Sequence, residues 1–149
     1  MNPLNPQNAA FAAGRRLLER ANRHLRQKES FAVETTLSGK GSLAMMAKAR
    51  SRGYEVHLIF VALDGPERSI QRIRTRASLG GHFVPDSDVR RRYKRSIDRL
   101  PAALRLADIA NVYDNSSDQH RLILVTKNGV ATSRSNDLPS WVQKASAGV

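Results

Sequence analysis

Apolar residues recur at helical spacing from Asn8 to about Gln27, where Phe11, Leu18, Ala21 and Leu25 alternate with arginines, and this predicts an amphipathic helix. Phe31 to Thr35 and Tyr54 to Leu63 ("YEVHLIFVAL") are apolar runs rich in β-branched and aromatic residues, expected as buried strands of a parallel sheet. Between them, Ser42 to Arg52 puts Leu43, Met46 and Ala47 on one side and stops at Gly53, as a crossover helix would. Asp64, with Pro66 and Glu67 behind it, has the spacing of an N-cap with a capping box. The helix that follows should bury Ile70, Ile73 and Ala77, turn out Arg68, Arg72, Arg74 and Arg76, and stop at Gly80-Gly81.

"HFVPDSD" reads as a loop, and Val89, Tyr93, Ile97 and Leu100 mark another helix. Ala110 to Asp114 is a third candidate parallel strand. Asn128-Gly129 between alternating runs is a hairpin signal, and a short helix is expected around Trp141. Strands alternating with helices, then a hairpin, define an α/β class. The chain of 149 residues shows no repeat, low-complexity tract or linker, which predicts a single domain over residues 1–149.

Composition narrows the chemistry. The absence of cysteine excludes disulfides and thiolate metal sites. With no secretory signal pattern and no run long enough to span a bilayer, the expected location is cytoplasmic, without a membrane partner. Lys and Arg number 25 against 13 Asp and Glu, a net charge of +12, and the pI is near 11.2. Such a balance suits polyanions, whether nucleic acid, an anionic surface or a phosphorylated small molecule. Arginine dominates the excess, and its planar fork suits bidentate phosphate contacts.

"FAVETTLSGKGS" begins to look like a phosphate-binding loop, but the loop requires G-x-x-x-x-G-K-[S/T]. Counting back from Gly39 reaches Glu34 where the first glycine should stand, and Lys40 is followed by Gly41 rather than a hydroxyl. His24, His57, His82 and His120 lack metal-ligand spacing, so no metal site is expected, and no G-x-S-x-G elbow is present. Two segments stand out. Glu34-Thr35-Thr36 falls at the carboxyl end of a candidate parallel strand, where open sheets bind ligands. "GGHFVPDSDVRRRYKRSIDRL" joins a glycine pair to a helix bearing Arg90, Arg91, Arg92, Lys94, Arg95 and Arg99. That helix could serve as a phosphoryl-transfer lid, a nucleic-acid patch or a solvated face.

Taken together, "NPQNAAFAAGR", "FAVETTLSG", "GYEVHLIFVAL", "GGHFVPDSDVRRRYKRS" and "VYDNS" resemble, in order and spacing, the zeta-toxin-like family of P-loop small-molecule kinases over about residues 2–116. The resemblance implies a partial P-loop nucleotide-kinase-like parallel sheet, with the C-terminal hairpin and short helix occupying residues 117–149. It implies ATP and magnesium as cosubstrates and phosphorylation of a hydroxyl on a UDP-amino sugar, with an antitoxin protein as a possible partner. Glu34 and Thr36 match the family's Glu-x-Thr substrate motif, here with Thr35 in the middle. His82, Arg91, Arg92 and Arg95 fall on the lid segment that reaches the ATP phosphates, and Asp114 and Asn115 on a loop near the adenine.

Family members begin with a strand, a Walker A loop and an aspartate that acts as base, and this sequence starts just past that aspartate. The expectation is therefore a truncated or start-misassigned member with no catalytic base, weak or absent activity, and a sheet lacking its P-loop strand. The alternative is a non-catalytic basic module that binds nucleic acid or a protein. The low aromatic content, 5%, counts against base stacking.

Overall fold

The computed structural model describes residues 6–148, with side chains from residue 12 onward. The chain divides into two compact units, residues 1–34 and 35–149.

The first unit is built on α1 (Pro6–Gln27), the amphipathic helix expected from the sequence, with Ala21 and Leu25 buried. The side chain of Phe11, which opens the expected stripe, lies outside the described residues. At the end of α1, Lys28 adopts φ 57° and the Glu29 N–H donates to the His24 carbonyl at 3.1 Å, the six-to-one bond of a Schellman cap. The imidazole of His24 stacks on Phe31, with ring centroids 5.5 Å apart.

Phe31 to Thr35, expected as a buried strand, is not one. The run carries no strand assignment, Ala32, Glu34 and Thr35 are exposed, and the division between the two units falls inside it. An apolar run becomes a strand only where a neighbour completes its hydrogen-bond ladder, and none does so here among the described residues.

The second unit is a four-stranded sheet ordered β1 (His57–Ala62), β2 (Ile109–Asp114), β3 (Arg121–Lys127), β4 (Val130–Arg134). Only β1 and β2 are parallel, and both other pairings are antiparallel, so the sheet is mixed rather than parallel. The first strand is shorter than the run Tyr54 to Leu63. It is also less buried than expected, because it forms the sheet edge and leaves Ile59 70% and Val61 47% exposed. At the hairpin, Asn128 and Gly129 take φ 50° and 75°, the two positive values a two-residue primed turn demands. Between β2 and β3 the register shifts after Val112, which pairs with Leu124 while Tyr113 pairs with Leu122. The extra residue, Ile123, lets two successive side chains, Ile123 and Leu124, both be buried.

The helices α2 (Lys40–Ser51), α3 (Pro66–Ser78), α4 (Asp86–Leu106) and α5 (Ser140–Ala145) complete this unit. Centrally, α4 packs against α2, α3 and α5, and its Leu100, Ala103 and Leu104 are fully buried with Val112, Leu124 and Val142. It runs through Pro101, which removes one helical hydrogen bond; the buried Ala103 and Leu104 beyond it hold the last turn to the core. Gly53 and Gly80, with φ 79° and 88°, close α2 and α3 in Schellman caps.

The expected capping box at α3 does not form. Gly65 is the N-cap residue, without a side-chain cap bond. Asp64 instead takes a two-pronged grip from Arg68, Nε to Oδ1 at 2.8 Å and Nη2 to Oδ2 at 2.9 Å, while Glu67 accepts from Arg90 of α4. Guanidinium partners outcompete the backbone N–H groups for both carboxylates, because bidentate charge-assisted bonds are the stronger kind.

Candidate functional site

Parallel strands end together, and the chain must leave each carboxyl end by a loop, which opens a crevice there. In the second unit that crevice is a cleft of about 490 Å³. Its floor is Phe60 to Ala62 of β1 with Leu63 just beyond, one wall is α3 through Ser69, Arg72, Ile73 and Arg76, and another is α4 through Val89, Arg92, Tyr93 and Ser96. Thr35, Thr36 and Asn115 complete the polar rim. Three arginines and several hydroxyl-bearing residues thus line it beside an apolar floor, and among the described residues no aspartate, glutamate, lysine or glycine does.

The rim is braced from below. The Asn115 N–H donates to the Ala62 carbonyl at 2.8 Å, and the Asn115 carbonyl accepts from Arg72 Nη2 at 2.9 Å. Asp114, 8% exposed, accepts from the Ser116 N–H at 3.1 Å, the Ser116 hydroxyl at 2.5 Å and Arg121 at 3.5 Å. The Ser116 oxygen in turn accepts from the Asp64 N–H at 2.8 Å. These bonds tie the loops after β1 and β2 to each other and fix the direction in which Arg72 leaves α3. Tyr93 donates to the Leu63 carbonyl at 2.9 Å, and burial, helped by the negative charges of Asp64 and Asp114, pushes its phenol above the ordinary range. The Arg68 grip holds the Asp64 carboxyl below the ordinary carboxylate range.

Of the residues singled out from sequence, Thr36, Arg92 and Asn115 line this cleft. Asp114 lies beneath it as a brace. Glu34 is exposed and is the last residue of the first unit. His82 is exposed on the loop between α3 and α4. Arg91 pairs with Asp88 at 2.7 Å one turn away, and Arg95 is exposed on α4; neither lines the cleft. Arg72 and Arg76, expected to turn outward from α3, are exposed and also stand along this cleft. Their spacing of four residues, one on each side of Ile73, was the available signal.

A second groove, about 460 Å³, lies at the opposite end of the parallel pair, among Arg50, Tyr54, Glu55, Asp108 and Lys127. Its charges serve the fold: Asp108 accepts from the Val56 N–H at 2.7 Å, and Arg50 donates to the Arg105 carbonyl at 3.1 Å. Among the described residues no group of three or more metal-ligating side chains gathers, and no helix is long and apolar enough to cross a membrane.

The fold and cleft define a mixed α/β protein with an arginine-lined crevice at the carboxyl ends of its parallel strands. The zeta toxin family profile matches residues 7–124, and the chain belongs to that kinase-like toxin family. It is 34% identical over 93 residues to an uncharacterized protein of Haemophilus influenzae, covering 62% of this chain and 66% of the relative, slightly less than two thirds of its length. No solved structure matches the chain.

Proposed function

We propose that the cleft is a phosphate-ligand site and that it serves ATP-dependent phosphorylation of a small-molecule hydroxyl, of the UDP-amino-sugar type. The observation that carries this reading is the convergence of Arg72, Arg76 and Arg92 from two helices on one crevice. Arginine side chains lining a cleft suit a transferring phosphoryl group or a diphosphate. The β1–α3–α4–β2 order is read as part of a P-loop kinase-like sheet.

The cosubstrates fit unequally. A triphosphate suits the three arginines, and Thr35, Thr36 and Ser96 suit a sugar's hydroxyls. Magnesium fits poorly, because hard cations want carboxylate or carbonyl oxygen and no carboxylate lines the cleft. A carboxylate base for the acceptor hydroxyl is likewise not among the described residues that line the cleft.

The basic-module alternative is weaker. Part of the positive charge is paired locally, Arg68 with Asp64, Arg74 with Asp86, Arg90 with Glu67 and Lys94 with Asp98, so these four side chains are less available to a nucleic acid backbone.

Calorimetric titration of the chain with ATP and with UDP-N-acetylglucosamine tests the reading. Binding that weakens about tenfold in Arg92→Ala, the loss of one charge-assisted contact, supports it. Absence of binding by either ligand, or binding indifferent to Arg92 and Arg72, overturns it.

A further inference from the structure

The turn from Thr35 to Gly39, which leads into α2, carries two of the residues on the cleft rim, yet it has no regular structure of its own. Three bonds knit it: Thr35 Oγ1 to the Oγ of Ser42 in the first turn of α2 at 2.9 Å, the Leu37 N–H to Thr35 Oγ1 at 3.1 Å, and Thr36 Oγ1 to Ser38 Oγ at 2.8 Å. Two links tie it to the rest of the unit. Leu37 is 3% exposed in the main core while held at φ 56°, a conformation a non-glycine residue adopts only when its surroundings enforce it. Arg99 donates from Nη1 to the Ser38 carbonyl at 2.5 Å, and the same nitrogen lies 3.2 Å from the Arg95 carbonyl. Arg99 therefore joins the turn to the helix that carries Arg92, Tyr93 and Ser96 on the cleft wall.

We infer that Arg99 is a positioning residue, which sets the Thr35–Thr36 rim at a fixed distance from the arginine wall by holding the Ser38 carbonyl. The inference rests on the cleft being a ligand site, and it concerns a side chain that does not line the cleft. The core anchor at Leu37 fixes where the turn enters the interior but leaves it a pivot. Arg99, one residue further along, removes that freedom. Ligands that engage both the arginines and the threonine rim depend on the spacing, whereas a ligand engaging only the arginines does not.

The test compares wild type, Arg99→Ala and Arg99→Lys by amide hydrogen exchange and by titration with inorganic tripolyphosphate and UDP-N-acetylglucosamine. In Arg99→Ala, exchange in the turn at residues 36–39 should accelerate about tenfold, the loss of one charge-assisted bond, while the interior of α4 keeps its protection. The sugar nucleotide should weaken about tenfold with tripolyphosphate held within about twofold, and Arg99→Lys, which keeps a donor, should recover part of the loss. Unchanged exchange in the turn overturns the proposal, as does equal weakening of both probes. If wild type binds neither probe, the reading of the cleft fails, and the exchange comparison still decides whether Arg99 holds the turn.

Discussion

The phenol of Tyr93, in the second turn of α4, donates its proton to the carbonyl of Leu63, the residue just past β1, at 2.9 Å. It is a side-chain clamp between the helix wall and the floor of the cleft. Tyr93→Phe keeps the ring but leaves that carbonyl without its donor, and should lower stability by about 1 kcal/mol, the net worth of one such bond. Chemical denaturation of the two proteins measures the difference.

The same phenol gives a pH prediction. Burial raises its folded-state pKa above the ordinary value near 10, so the folded chain holds the proton that the unfolded chain releases. Its stabilisation is complete below about pH 10 and is lost as pH rises through the higher folded value. Ultraviolet titration should show one of the three tyrosines ionising late, and Tyr93→Phe should remove that transition.

Asp64 works in the opposite direction. The Arg68 bond, with Coulombic help from Arg68 and Arg72 and against some desolvation, depresses its carboxyl. The contribution is present above the ordinary carboxylate pKa and is lost as pH falls through the lower folded value. Carboxyl titration followed by NMR should return Asp64 to the ordinary range in Arg68→Ala. The stability change should be small, because the pair is exposed.

The glycine pair closing α3 separates two kinds of constraint. Gly80 sits at φ 88°, so alanine there pays a backbone penalty of about 1 kcal/mol. At Gly81 the backbone is permissive, but a Cβ would stand 2.7 Å from Arg76 Cγ and 2.8 Å from the Arg76 carbonyl oxygen. Gly81→Ala should therefore cost about 1–3 kcal/mol by overpacking. Because Arg76 lines the cleft, it should also disturb ligand binding, which Gly80→Ala should not. Melting and titration of both variants separate the two effects.

Much of this architecture can be read from pattern alone. Ile70, Ile73 and Ala77 announce α3, Asn128-Gly129 announces the hairpin, and Gly53 and Gly80 mark the ends of their helices, because each signal is local and nothing distant contradicts it. Phe31 to Thr35 misled because strandness depends on a neighbour, which no window of five residues contains. Asp64 misled because its spacing fits a cap and its actual partner, Arg68, stands four residues on with a stronger bond to offer. Arg72 and Arg76 are exposed, as a helical wheel has them, but the wheel does not show that a cleft runs beside them. The bracing of Ser116 and Tyr93 joins residues 52 and 30 positions apart, beyond any periodicity.

The register of β1 against β2, His57 opposite Ile109, has a consequence for how the chain is made. On the ribosome, β1 is synthesised some fifty residues before the strand it pairs with, which at about 5–20 residues per second is a delay of several seconds. Throughout that interval the apolar stretch Leu58 to Leu63 carries a bare backbone and no charge. Binding by a holdase during synthesis would protect it until the sheet's remaining strands emerge.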